Sequence, residues 1–368
     1  MPMILQPTAM STRYPFNKTL LTLSTSALLC VPIFAHADSP YFSLKDGDGF
    51  KRFSVSIGAL HVMPQGKAQP IRVNTSVEDG EVADVGEIQS QTVKDNLKEG
   101  SDVSTVLELA LNTLDTIPAG LSGTAEIYGL EQWDNPGTGL EADDVTTLGI
   151  MTNYFFTDNV SFELKAGVPP EVDIQGKGKI YAPFSATAYP LGGVAGTLEL
   201  ENDILITDLE AYGPVASTRA WTPAFEFQYH FGKTGVNKFR PYVGLGLMYA
   251  YFNELELNDQ TEQDLIAAGH MIANIKEGKA GASLEDKTSS ADPKVSLETE
   301  SAFAPVATVG FTYDFNDKWF AVGSVSYAHL KTESTITVKD EEFGQLIKST
   351  SDVEINPLLA YAGVGMRF

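Results

Sequence analysis

Glu163 and Lys165 stand two residues apart in VSFELKAG, and Glu226, Gln228 and His230 repeat that spacing in FEFQYHF. Residues i and i+2 of an extended strand share one face, so each run gathers its polar groups on one side of an otherwise apolar segment. Arg240 and Arg367 occupy similar segments, FRPYVGLGL and GVGMRF, and Arg52 precedes FSVSIGAL. Charges enclosed by strands persist only when paired. The set Arg52, Glu163, Lys165, Glu226, Arg240 and Arg367 therefore reads as one ion-paired polar plug. Other chemistry is thin. His61, His230, His270 and His329 lack metal-ligand spacing, so no metal and no cofactor is expected. Gly244-Leu245-Gly246 lacks the third glycine and the following helix of a dinucleotide loop. His329 with Ser326 or Ser334 is the one pair that a lipid-modifying acyl transferase could use, and so incomplete a set points to a protein that is not an enzyme.

The elements that must position these groups show a period of two. In 53–62, Phe53, Val55, Ile57 and Ala59 alternate with Ser54, Ser56 and Gly58. Seven further alternating runs begin near residues 145, 160, 223, 239, 302, 319 and 358. Their apolar sets contain no charged residue, as required of a face that meets lipid, where a midplane Lys or Arg costs about 2–4 kcal/mol. Connections alternate between short (157–159, 232–238, 316–318) and long (66–143, 170–222, 253–300, 339–353). Tyr249, Tyr251, Tyr313 and Phe315 gather at the ends of runs, where aromatic girdles belong. An even strand count closes without an unpaired edge in hydrocarbon. The expected fold is all-β, an eight-stranded antiparallel transmembrane β-barrel with long extracellular loops containing short helices.

Arg13 and Lys18 precede an apolar run, residues 20–35, that ends at Ala35-His36-Ala37, the pattern of a secretory signal peptide. The expected organisation is signal peptide 1–37, periplasmic segment 38–51 and barrel 52–368 with an extracellular insert at 66–143. Cleavage would remove Cys30, the only cysteine, so the mature chain forms no disulfide. The net charge of −23 argues against a nucleic-acid partner. Acid concentrates in the long connections, with fifteen Asp or Glu against four Lys or Arg in 66–143, the composition of solvated loops.

The stretches TTLGIMTNYFFTDNVSFELKAGVPP, KFRPYVGLGLMYAYF, VGFTYDFNDKWFAVGSVSYAHLKTE and NPLLAYAGVGMRF resemble the outer-membrane protein W family, and RFSVSIGALHVMP resembles its first strand. The resemblance covers the frame and not the loops. It implies a barrel in the bacterial outer membrane that passes small hydrophobic molecules, with a lumen apolar near the outside and blocked below, and with cargo leaving sideways into the bilayer. The upper inward positions fit such a lining: Leu60, Met151, Met248, Phe252, Val306, Leu330, Leu359 and Tyr361. Proline removes a ladder donor, so Pro169-Pro170 is expected to open a lateral exit beside the third strand. The terminal strand, ending in Phe368, is expected to carry the signal read by the barrel-assembly machinery. Expected partners are outer-membrane lipids, lipopolysaccharide and small hydrophobic molecules. A rival reading is adhesion or a structural role through the acidic loops. Helical spacing in 101–118 and in 261–275, the latter opening on a T-x-x-D capping pattern, predicts two helices over the barrel mouth as a lid or funnel.

Overall fold

The computed structural model describes residues 51–368. The expected signal peptide, and all but the last residue of the segment 38–51, lie outside the described residues. Eight antiparallel strands form the frame: β1 (Phe53–Met63), β2 (Val145–Phe155), β3 (Val160–Gly167), β4 (Ala224–His230), β5 (Phe239–Leu257), β6 (Ala302–Asp314), β7 (Trp319–Ala328) and β8 (Leu358–Arg367). Each pairs with its neighbour in sequence, and β8 returns to pair with β1 from Ser54↔Arg367 to Met63↔Leu358. The barrel is closed, as the alternation predicts. Phe225, Phe227 and Tyr229 on β4, Val243, Leu245 and Leu247 on β5, and Phe303, Val309 and Phe311 on β6 lie exposed on its outer face. Between them Glu226, Gln228, Arg240, Tyr242 and Thr308 are buried in the lumen.

The long extracellular connections carry more order than two helices. Segments from the first two make a four-stranded sheet in the order 198–208, 179–189, 124–128 and 81–84. Segments from the first, third and fourth make a five-stranded sheet in the order 294–299, 331–340, 344–354, 71–75 and 132–135. Together they form a folded head with its own apolar core, including Ile127, Ala182, Leu200, Ile272, Val338 and Leu346. The charge count hid this core, because acidic residues sit on outward positions of strands whose inward positions are apolar, as Glu199 and Glu201 do beside buried Leu198 and Leu200.

Two helices of the head matter below. α1 (Thr105–Thr113) begins at Ser104, whose hydroxyl accepts from Leu107 N, and buries only Leu107 and Leu111. It is shorter than the 101–118 read from spacing. α2 (Asp259–Lys276) is the largest helix of the head and packs against strands of both sheets. Its cap is Asn258, whose side chain accepts from Thr261 N at 2.7 Å; Thr261, the expected cap, lies inside the first turn because the helix starts earlier than its T-x-x-D pattern suggested. Gly269 faces Pro293 and Val338, where a Cβ would come within 2.7 and 2.9 Å, so glycine sets how closely α2 approaches the sheet.

Head carboxylates are held ionised. For Glu285, burial alone would raise the pKa, but Lys287 and the amide of Gln89 bring it below the usual carboxylate range. Asp340 is lowered by backbone amides, first that of Phe343. Groups whose pKa is lower folded than unfolded stabilise the fold above their unfolded values, about 4, and lose that contribution as pH falls through the folded values. Acidification through and below pH ~4 should therefore loosen the head before the barrel, seen as a change in Trp133 fluorescence while the barrel keeps its far-ultraviolet dichroism. Ile272 is fully buried, and Ile272→Ala should lower head stability by ~2–5 kcal/mol in urea titrations, with no change in the heat-modifiable mobility of the barrel on gels.

Candidate functional site

The lumen is layered. Lowest lie the arginines. Arg240 donates to Thr234 Oγ1 and to the carbonyl of Asp158, both at 2.5 Å, and so pins two short turns. Arg367 pairs with Asp314 at 2.5 Å and lies 4.5 Å from the Phe320 ring centre. Arg52 donates to the carbonyls of Phe155 and Phe156 at 3.1 and 2.7 Å. Above them the His230 ring sits between Phe155 and Tyr242, at 4.9 and 4.8 Å between centres.

Next comes the floor. Glu163 and Glu226 are direct cross-strand partners on β3 and β4, and like charges so placed repel. Lys165 resolves the conflict. Its Nζ lies 2.6 Å from Glu226 Oε1 and 3.6 Å from Glu163 Oε1. It also donates to Thr308 Oγ1 at 2.8 Å and Ser326 Oγ at 3.1 Å, so the ammonium's three donors all have partners. Glu163 further accepts from Asn153 Nδ2 at 2.5 Å and Gln228 Nε2 at 2.6 Å. Gly246 is the register partner of Glu226 on β5, and a Cβ on Gly244 would fall 2.7 Å from Glu226 Oε2. The two glycines of the PYVGLG segment thus make room for the buried acid.

The plug read from sequence is therefore two structures: a central Glu163, Lys165, Glu226 cluster, and rim arginines that pin turns and chain ends. Asp314 and the hydroxyls of Thr308 and Ser326 were missed as partners. All three fall on the inward phase of β6 and β7, so the alternation contained them, but the pairings needed the register. The Ser-His pair is not assembled, since Ser326 Oγ is buried with Lys165 and Thr308 while His329 lies exposed.

Above the floor a cavity of about 330 Å³ is lined by Leu60, Met151, Met248, Val306, Leu359 and Tyr361, with Lys165 at its base. Phe252 and Leu330, the remaining two predicted lining residues, join Met248 and Leu359 around the next cavity outward. Ala224 lines this cavity, and Ala250, Ala304 and Ala328 pack with Met248, Val306 and Leu359 in one apolar cluster, all four alanines almost fully buried. Three of these, Ala224, Ala250 and Ala304, went unread because alanine carries little hydropathy signal. Tyr361 turns its hydroxyl to Ser56 Oγ at 3.1 Å, leaving the ring to the cavity.

The same cavity reaches the barrel wall. Pairing of β3 with β4 stops at Lys165↔Ala224, and the next bond across is Ala220 N to Pro170 O at 3.0 Å. Between them Ala166–Pro169 faces Trp221–Pro223, and Gly167, Val168, Pro169, Pro170, Trp221 and Pro223 all line the cavity. Several backbone groups at this gap are engaged elsewhere: Val168 N bonds Leu148 O, Val168 O accepts from Thr147 Oγ1, Pro169 O from Arg219 and Pro223 O from Tyr249 N. Pro169, Pro170 and Pro223 have no N–H to leave unpaired.

A closed eight-stranded barrel with an uncharged apolar exterior, aromatic ends and a polar lumen floor is an outer-membrane β-barrel protein. The OmpW family model matches residues 119–269 and 283–368, and the chain belongs to the OmpW family. Outer membrane protein W of Vibrio cholerae serotype O1 is 29% identical over 252 residues, covering 68% of this chain and 87% of that protein. Outer membrane protein W of Salmonella typhi is 23% identical over 230 residues, covering 62% of this chain and 76% of that protein. The crystal structure of OprG from Pseudomonas aeruginosa aligns over 88% of this chain and 99% of its own with 16% identity and a TM-score of 0.46. The protein resides in the bacterial outer membrane.

Removing one partner of a buried ion pair costs about 3–5 kcal/mol. Lys165→Met should destabilise the barrel by that amount in urea unfolding from micelles, because it leaves two facing carboxylates without their cation. Adding Glu226→Leu to Lys165→Met should restore a large part of the loss; no restoration would remove Lys165 from the role of bridging the two acids.

Proposed function

We propose that the barrel passes small hydrophobic molecules from the outside into the outer leaflet of the membrane. The observation that carries this reading is a single cavity whose walls include both the apolar upper lumen and the β3–β4 gap, over a floor of paired charges. An eight-stranded barrel has room for side chains or for one small ligand, and here small lining residues, Gly167 and Ala224 among them, leave room for the ligand. Ions meet the Glu163, Lys165, Glu226 cluster and the arginines below it. Apolar cargo meets a mostly apolar lining, with Thr147, Thr222 and Ser326 among its few polar side chains above Lys165, until it reaches Pro169 and Pro170, where the ladder is open to lipid. No covalent step is involved, so the reading assigns no catalytic residue. Phe368 lies exposed on the outer face, its amide bonded to Phe53 O at 2.8 Å, and we assign it to recognition of the last strand by the assembly machinery.

Protein reconstituted in liposomes should speed the uptake of a small hydrophobic probe over empty liposomes while adding little ion current. Pro169→Val with Pro170→Thr supplies two amide donors and should draw the gap together, cutting uptake several-fold without altering folding or ion current. Unchanged uptake in the folded double variant would rule out this exit. If the folded wild-type barrel transfers no probe at all, the acidic head becomes the functional element, acting in adhesion.

A further inference from the structure

The head encloses a cavity of its own, about 110 Å³, which shares no lining residue with the lumen cavity. Its wall is the four-stranded sheet, through Ile127, Phe184 and Leu198; its roof is α1, through Leu107 and Leu111; Met271 and Ile275 of α2 close the back. Every one of these side chains is apolar. Protein cores hold few voids larger than a water molecule, and an apolar cavity of roughly 150 Å³ lined by Leu, Ile and Phe stays dry and admits benzene. The void in the head is of that order and of that chemistry.

Two observations separate it from a packing fault. First, it has a mouth. Val106, Leu121 and Leu191 line it and are 62%, 40% and 48% exposed, an unusual cluster on an acidic surface. Leu191 is held there at φ 51°, a left-handed conformation costly for a residue with a Cβ. The roof is tethered at one end, where Ser104 Oγ donates to Ala195 O at 2.5 Å, and α1 covers the cavity with two buried leucines. Second, it leads inward. Met271 also lines a smaller cavity of about 60 Å³, which shares Ile71, Leu209 and Ile336 with the vestibule above the barrel. The vestibule in turn shares Met248 and Leu359 with the lumen cavity.

We infer that the head cavity is a binding site for a small unfunctionalised hydrocarbon, a single aromatic ring or the equivalent length of alkyl chain, captured from water before it reaches the barrel. Its place as the first station of a path rests on the barrel being a channel for such molecules; binding in the head rests on the cavity alone. α1 is its lid, and Met271, flexible and polarisable, is the side chain that separates it from the inner cavities.

The test is a toluene titration of the full-length protein in lipid nanodiscs, with methyl resonances of Ala, Ile, Leu, Met and Val observed. Methyls of Leu107, Leu111 and Ile127 should shift saturably. Ala110→Phe, which places a ring in the cavity from the half-buried face of α1, should abolish those shifts while Met151 and Met248 in the lumen still respond. Ala195→Phe fills the same space from the opposite side and should act alike, with the Ile272 and Val338 methyls reporting that the head remains folded. Head methyls that do not shift, or that drift linearly and equally in wild type and both filled variants, overturn the site whatever the lumen does. Head shifts with a silent lumen keep the site and instead sink the barrel reading.

Discussion

Within hydrocarbon every backbone N–H and C=O needs a partner inside the protein, and this constraint governs the rest of the molecule. It demands closure, which β1 and β8 provide from Ser54↔Arg367 to Met63↔Leu358. It also limits where closure can lapse. The β3–β4 gap sits where three prolines contribute no donor and where the flanking groups of Val168, Pro169 and Pro223 bond to neighbours away from the opening. A gap of this length built from other residues would expose several amides to lipid, at several kcal/mol each. Proline here is what makes an unpaired stretch of wall tolerable, and the gap coincides with the lumen cavity that has Lys165 at its base.

The barrel and head solve inverse problems with one chain. In the membrane the outward phase is apolar and the inward phase carries the charge; in the head the inward phase is apolar and acid faces water. β5 crosses from one regime to the other in 19 residues, with Glu254 at φ 51° in the upper part. Below that point Val243, Leu245 and Leu247 face out; near its end Leu257 packs on the head core. The head is therefore not an appended domain but the continuation of wall strands, which is how its cavities come to share residues with the lumen.

The frame was legible in the sequence because a lipid-facing strand tolerates no charge on alternate positions, so all eight runs stand out with their boundaries nearly right. The inward charges were legible for the same reason. Their grouping was not: Lys165 follows Glu163 on one strand, but its other partners Glu226, Thr308 and Ser326 come from three different strands, and only register brings them together. The head was less visible. Its strands at 71–75, 81–84, 124–128 and 132–135 are four or five residues long, too short for alternation to rise above the surrounding acid, while the longer strands 179–189, 331–340 and 344–354 carry Ala, Ser or Thr at several inward positions, which weakens theirs. The resemblance that fixed the frame ended where these inserts began.

Apolar lining and lateral opening belong together on thermodynamic grounds. Each CH₂ moved from water into the lumen gains ~0.8 kcal/mol. Release downward into the periplasm would return that amount per CH₂, so residence would lengthen about fourfold with each carbon and a longer chain would become trapped. In the proposed path the floor also closes that route, since a cation bridging two carboxylates, with its three donors satisfied, offers apolar matter nothing. Sideways release behaves differently. Lipid tails are as apolar as Met151, Met248 and Leu359, so transfer through the proposed exit costs little whatever the chain length. A pocket that binds hydrocarbon and still turns over needs an acceptor as apolar as itself, and the wall between Lys165–Pro170 and Ala220–Ala224 is where the proposed path reaches one.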